Sequence, residues 1–277
     1  MTYADAPSQD FNEVREVPDD RFPALVHPVW RQSFPWLVQG TTTRGERDRP
    51  FDLGLFSTGS QVDSVRSHWA ELLGMTGARH AYHAQQVHEA TVRCHELSAD
   101  SAATDESSGG LLGGLPGAPT LVEPCDGHVT RDEGALLAVT VADCVPVFVV
   151  DSAHKAVGIL HAGWRGAAAG VLEEGLRQMA SAFGTRADEV DVHLGPSICG
   201  SCYQVGPEVF EALAQPVPHE ATPIDLRTIV AIRALEAGVE RERVSISGHC
   251  TRCTNSGLFS HRGGDAARQI GFIGVVQ

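Results

Sequence analysis

Two spacings of apolar residues alternate along the chain. Strand-length apolar runs stand at Val38–Thr42, Ala81–Val87, Ala90–Cys94, Leu136–Val150, Ala156–Leu160, Val190–Leu194, Val244–Ile246 and Gln269–Val276. Other stretches repeat at three- and four-residue intervals, the period of a helix with one buried face. Val62–Leu73 places Val65, Trp69, Leu72 and Leu73 on one such face. Ala168, Val171, Leu172, Gly175, Leu176, Met179 and Phe183 form another. Pro207–Ala214 and Asp225–Ala237 read as further helices, the second with Asp225 in N-cap position. Strands alternating with helices predict an α/β or α+β class.

The interruptions in this pattern carry the candidate chemistry. Leu136–Val150 is broken at Ala142-Asp143-Cys144-Val145-Pro146. Pro146 has no N–H for a ladder, so the strand is expected to stop or bulge there and to expose Asp143-Cys144 at a strand end. Gln85-Gln86-Val87-His88 ends another apolar run with a histidine. Ile159 to Gly166 reads strand, tight turn, helix, with His161 and Arg165 on either side of Gly163. A helix start favours an anion, although the same turn also fits ordinary core packing. His88, Cys144 and His161 together have the ligand types of a zinc site with an open fourth position.

His161-Ala162-Gly163-Trp164-Arg165-Gly166, Asp143-Cys144-Val145-Pro146, Gln86-Val87-His88 and Leu194-Gly195-Pro196-Ser197-Ile198 resemble motifs of the YfiH-like family. This is the laccase-domain or polyphenol-oxidoreductase group, now regarded as purine nucleoside phosphorylases. The likeness continues through Tyr203-Gln204-Val205-Gly206, Cys250-Thr251 and Phe259-Ser260-His261-Arg262. It implies a single layered α-β-β-α domain over residues 31–277; composition marks a partly disordered tail at 1–30, and the aperiodic Ser-, Ala-, Gly- and Pro-rich stretch at 98–120 reads as a flexible insertion. The likeness further implies zinc on His88, Cys144 and His161, with Asp143, Cys144 and His161 as the catalytic set and Asp143 moving a proton. Arg44 and Arg165 would hold phosphate. The implied reaction is phosphorolysis of adenosine, inosine, guanosine and methylthioadenosine to base and ribose 1-phosphate, with adenosine deamination beside it, in a chain compatible with a homodimer. Asp52 and Glu89 depart from the family, which carries Asn and usually Gly there. Two rival chemistries stay open: a copper-dependent polyphenol oxidase, and a metal-free hydrolase or deamidase with Cys144 as nucleophile and His161 as base.

Composition narrows the field. The 277 residues are 42% hydrophobic and 20% charged, as in ordinary globular proteins. A net charge of −14 argues against nucleic acid or an anionic membrane as partner. An anionic substrate then needs a local basic pocket, for which Arg44, Arg165 and Arg262 are candidates. No apolar run approaches membrane-spanning length, and Met1–Asp20 lacks a signal-peptide core. Seven cysteines in such a chain fit a reducing cytoplasm. Four of them form two CxxC pairs, Cys199/Cys202 and Cys250/Cys253, farther apart than in a usual zinc ribbon. They read either as a second, structural zinc site or as free buried thiols. Asp126 is a candidate for orienting a ligand, and His128 reads as a satisfied core histidine.

Overall fold

A computed structural model describes residues 11–46, 48–57, 62–96, 118–254 and 257–276. In chain order the strands of its two large sheets are β1 (Asn12–Val14), β2 (Val17–Pro18), β3 (Ala24–Val26), β4 (Leu37–Thr42), β5 (His80–Ala84), β6 (Val92–His95), β7 (Thr120–Val122), β8 (Gly127–Thr130), β9 (Ala135–Val141), β10 (Val145–Asp151), β11 (Ala156–Ala162), β12 (Val190–Leu194), β13 (Val244–Ser247) and β14 (Gln269–Val275). The helices are α1 (Pro28–Ser33), α2 (Val62–Thr76), α3 (Trp164–Ala169), α4 (Val171–Phe183), α5 (Pro207–Ala212) and α6 (Leu226–Glu236). The first sheet runs β1-β13-β12-β10-β11-β8-β6 and the second β2-β3-β4-β14-β9-β5-β7. No described helix is long and apolar enough to cross a membrane.

Side-chain alternation in the central strands explains the layering. Along β9, Leu137, Val139 and Val141 face the other sheet, where they join Phe148, Val150, Val157 and Ile159 in one core. Leu136 and Ala138 point the opposite way and pack with Val65, Trp69 and Leu72 of α2. In β10 and β11, Val147, Val149 and Leu160 turn outward to α4 and α6, meeting Leu172, Leu176, Met179, Ile229 and Val230. The central strands are therefore buried on both faces, which is why they read as continuous apolar runs rather than as alternation. Helix, sheet, sheet and helix stack in that order, in a mixed α/β fold.

Several boundaries differ from the expectation. Residues 11–30, assigned to a loose tail, contribute β1, β2, β3 and the start of α1, and Phe11 and Val14 are buried. Strand β1 pairs in parallel with β13, so its backbone groups gain partners that a sequence scan of a short polar segment does not reveal. Residues 1–10 lie outside the described residues, as does the expected insertion as far as 117, while Thr120–Val122 pairs with β5. The break in the apolar run comes before Pro146, not at it. Pro146 is the second residue of β10, opposite His161, and near a strand start its missing N–H is tolerated. The helix after Gly163 is interrupted at Gly170, whose φ of 88° ends α3 before α4 begins.

Four histidines are buried in neutral form. Burial holds His27 down to about 3 and His83 and His95 to about 4, and it lowers His128 well below its ordinary 6.5. His128 hydrogen-bonds to His95 at 2.9 Å. In the unfolded chain these groups take up protons from about pH 6.5 downward, whereas the folded chain stays neutral until lower pH. The unfolded state thus binds more protons in that window, and stability falls as pH falls. Denaturant unfolding should show each histidine removing at most about 1.4 kcal/mol per pH unit between about pH 6.5 and 4. A flat stability profile there would contradict the neutral assignment.

Candidate metal centre and cleft

His88, Cys144 and His161 reach one place from three connections. Residues 142–144 carry the chain from β9 in the second sheet to β10 in the first, so Cys144 sits at the crossing. His161 is the penultimate residue of β11, and the pairing of Val145 with Ala162 holds it beside the start of β10. His88 lies in the connection from β5 to β6. The ligand atoms of all three lie within 4.8 Å of one another.

Asp126 organises this set. Its fully buried carboxylate accepts the N–H of Val87 at 3.3 Å, of His88 at 2.9 Å and of Glu89 at 2.8 Å. Three consecutive N–H groups converge in this way because His88 adopts a φ of 62°, a left-handed conformation uncommon outside glycine. The same carboxylate accepts Nδ1–H of His161 at 3.0 Å, and the Asp126 carbonyl accepts the His161 backbone N–H at 2.7 Å. Fixing Nδ1 as the donor leaves Nε2 of His161 as the ligand atom. Burial opposes the Asp126 charge, but the His161 and Glu89 hydrogen bonds outweigh it and hold the carboxyl below its ordinary 3.8.

The donor set suits a soft or borderline divalent ion. Burial works against the Cys144 thiolate, yet the charge and hydrogen bonds of His161 and the hydrogen bond of His88 bring the thiol down to about 6. Two imidazoles, a stabilised thiolate and a carboxylate behind one imidazole are the parts of a three-ligand zinc site with an open position. Gly163 leaves the room for it. A Cβ there would stand 3.2 Å from both Cys144 Sγ and His88 Cδ2, inside the space the ligand side chains enclose. Gly163→Ala should therefore lower the metal content of the purified protein while leaving the fold intact. Elemental analysis beside a circular dichroism melt checks this, and full metal content in the variant would contradict it.

The three side chains open into a cleft of about 430 Å³, lined also by Phe56, Gln86, Thr140, His261 and Arg268. Gln86 is locked by Nε2–H donation to the Thr140 carbonyl at 2.7 Å and by acceptance of the Thr140 N–H at 2.8 Å. Arg268 donates from Nη1 to the carbonyls of Asp265, Ala266 and Ala267, and its backbone N–H goes to Asp52 Oδ1 at 2.9 Å.

The other expected residues do not line this cleft. Arg44 is paired bidentately with Asp265, at 2.8 and 3.0 Å, and stacks over Phe259. Arg165 is exposed and lies over the Trp164 ring, 4.1 Å from its centroid. Asp143 is buried, with Oδ1 accepting Thr251 Oγ1–H at 2.6 Å and Oδ2 accepting the Arg262 N–H at 2.7 Å. Its φ of 90° and these bonds make it the anchor of the turn before Cys144, and it is not among the residues lining the cleft. The cleft cation that sequence reasoning missed is Arg268. It stands in an irregular loop with no periodic signal, six residues beyond the recognised Phe259–Arg262 motif.

The family described as multi-copper polyphenol oxidoreductase laccase matches the chain over residues 42–276. The purine nucleoside phosphorylase YlmD of Geobacillus stearothermophilus is 31% identical over 261 residues, 87% of this chain and 91% of that protein. The Bacillus subtilis protein of the same name is 32% identical over 168 residues, 56% of this chain and 60% of its own length. The adenosine deaminase RL5 of an unknown prokaryotic organism is 38% identical over 156 residues, 51% of this chain and 58% of its own length. The chain thus spans under two thirds of these last two relatives. The crystal structure of Geobacillus stearothermophilus YlmD superposes with a TM-score of 0.79 at 25% identity, covering 95% of this chain and all of that one.

Proposed function

The chain belongs to the YfiH-like laccase-domain family, and on that footing we propose that it is a zinc-dependent purine nucleoside phosphorylase that also deaminates adenosine. The observation that carries the reading is the grouping of His88, Cys144 and His161 within 4.8 Å at a cleft that also contains Arg268 and His261. Bound there, zinc supplies Lewis acidity at the cleft wall.

The chain's own residues account for the rest. In phosphorolysis the bond from the sugar C1′ to the purine nitrogen breaks, a phosphate oxygen bonds to C1′, and the base leaves with a proton. Arg268, with its Nη1 clamped on three carbonyls, presents a fixed positive charge for the phosphate. His261, 3.5 Å from Arg268 Nη2, is an imidazole able to hand a proton to the departing base. Phe56 offers a partly exposed ring at the cleft for the purine face, and Gln86 is held rigid beside it. Asp126 orients His161, and Asp143 holds the Cys144 turn.

Incubating the protein with inosine or adenosine, with and without phosphate, tests this. Free base and ribose 1-phosphate should form only when phosphate is present, and inosine from adenosine would report deamination. Arg268→Ala should raise the phosphate KM by at least tenfold with little change in the nucleoside KM. No base release under any condition would sink the proposal. One observation favours a metal-free thiol reaction. Burial disfavours the His161 imidazolium, but the Cys144 charge and the Asp126 hydrogen bond raise it to about 9, which favours a thiolate beside an imidazolium when no metal is bound. Stoichiometric alkylation of Cys144 in active protein free of metal would select that route. The copper alternative needs a many-histidine cluster for multicopper chemistry. Among the described residues the only groups of three or more metal-binding side chains are this one and a four-cysteine one.

A further inference from the structure

The four-cysteine group lies outside the cleft lining. Cys199 precedes the 3₁₀ turn Gly200–Cys202, and Cys250 to Cys253 form a turn shortly after β13. The four sulfurs lie within 4.8 Å of one another. Cys199 Sγ and Cys253 Sγ are 3.7 Å apart. Four sulfurs each about 2.3 Å from a central zinc ion would form a tetrahedron with an edge of about 3.8 Å. Two backbone N–H groups, of Cys199 at 3.3 Å and Arg252 at 3.4 Å, point at Cys250 Sγ, which favours the sulfur as an anionic acceptor. The Arg227 guanidinium, fixed on Asp225 and on the Ser247 carbonyl, adds positive charge to the same neighbourhood.

We propose that Cys199, Cys202, Cys250 and Cys253 hold a structural zinc ion, distinct from any ion on His88, Cys144 and His161. Binding converts four thiols to four thiolates and releases their protons to solvent. All four ligands come from the protein, so the ion has no open position and its role is mechanical. It ties two segments that already touch: Ser197 bridges to Cys250, and the Thr251 N–H donates to the Ser197 carbonyl at 3.1 Å. Both segments also grip Asp143. The Ile198 N–H donates to its carbonyl at 3.0 Å, and the Thr251 hydroxyl to its carboxylate at 2.6 Å. The ion thereby braces the turn that presents Cys144.

The test counts metal with the first site removed. The full chain carrying His88→Ala and Cys144→Ala, produced with ample zinc, should retain one zinc per chain by elemental analysis. Cobalt in its place should give thiolate-to-cobalt charge transfer and the intense ligand-field bands of a tetrahedral four-thiolate site. Adding Cys250→Ser and Cys253→Ser should abolish both signals. A double variant with no metal, or with a cobalt spectrum lacking those bands, overturns the proposal, as does mass spectrometry that finds the four cysteines joined as disulfides in freshly purified protein. If the quadruple variant fails to fold, the cobalt spectrum of the double variant still decides. Either outcome leaves the phosphorylase reading to its own assay.

Discussion

Replacing Cys144 by Ser should leave a folded chain whose kcat/KM for the proposed phosphorolysis is lower by at least about 100-fold, because even the partners behind a metal ligand are worth 10 to 100-fold. The hydroxyl is of similar size, so the turn held by Asp143 survives. It does not ionise near neutral pH, and it replaces a soft donor with a hard one. The thiolate is also the charge that raises His161, so the variant loses both the anion and its effect on the adjacent imidazole. Metal content and rate should fall together. Normal turnover in a Cys144→Ser protein would exclude both the metal reading and the thiol reading in one measurement.

Asp126→Asn is expected to be nearly as damaging through a different route. The carboxylate collects three backbone N–H groups and the His161 imidazole on two oxygens. An amide offers one oxygen and turns an NH₂ toward donors that need an acceptor, leaving buried polar groups unpaired. Removing one partner of a buried charged pair costs roughly 3 to 5 kcal/mol, so the thermal midpoint should fall by several degrees. The His88 turn would lose the acceptor that holds its φ of 62°, and His161 would lose the hydrogen bond that fixes its tautomer. Metal affinity should drop 10 to 100-fold by competition titration. A variant with unchanged affinity and melting point would show that the carboxylate is not the organiser described here.

The apolar pattern exposed the central strands well, because burial on both faces wrote them as continuous runs. Helices α2, α4 and α6 were legible from their periodicity and, for α6, from the Asp225 cap. What the pattern lacked was partnership. Nothing in the run from Leu136 to Val150 says that its two halves belong to different sheets, because each half is equally apolar. The edge strand β1 is short and half polar, and only β13 makes it a strand. At the site, His88, Cys144 and His161 stand at breaks in apolar runs, and a break is visible in one dimension. Of the expected arginines, Arg165 adjoins one of those breaks, whereas Arg44 rests on the resemblance alone. Their positions depend on which carboxylate each one meets, and for Arg44 that is Asp265, 221 residues away.

Cys144 and His161 stand at the ends of strands of the first sheet, and His88 lies in the connection from a strand of the second to one of the first. With only one sheet formed, the His88 connection is tethered at one end alone. On the proposed reading, an ion held by all three side chains acts as a latch on the docked sheets, slowing unfolding more than it hastens folding.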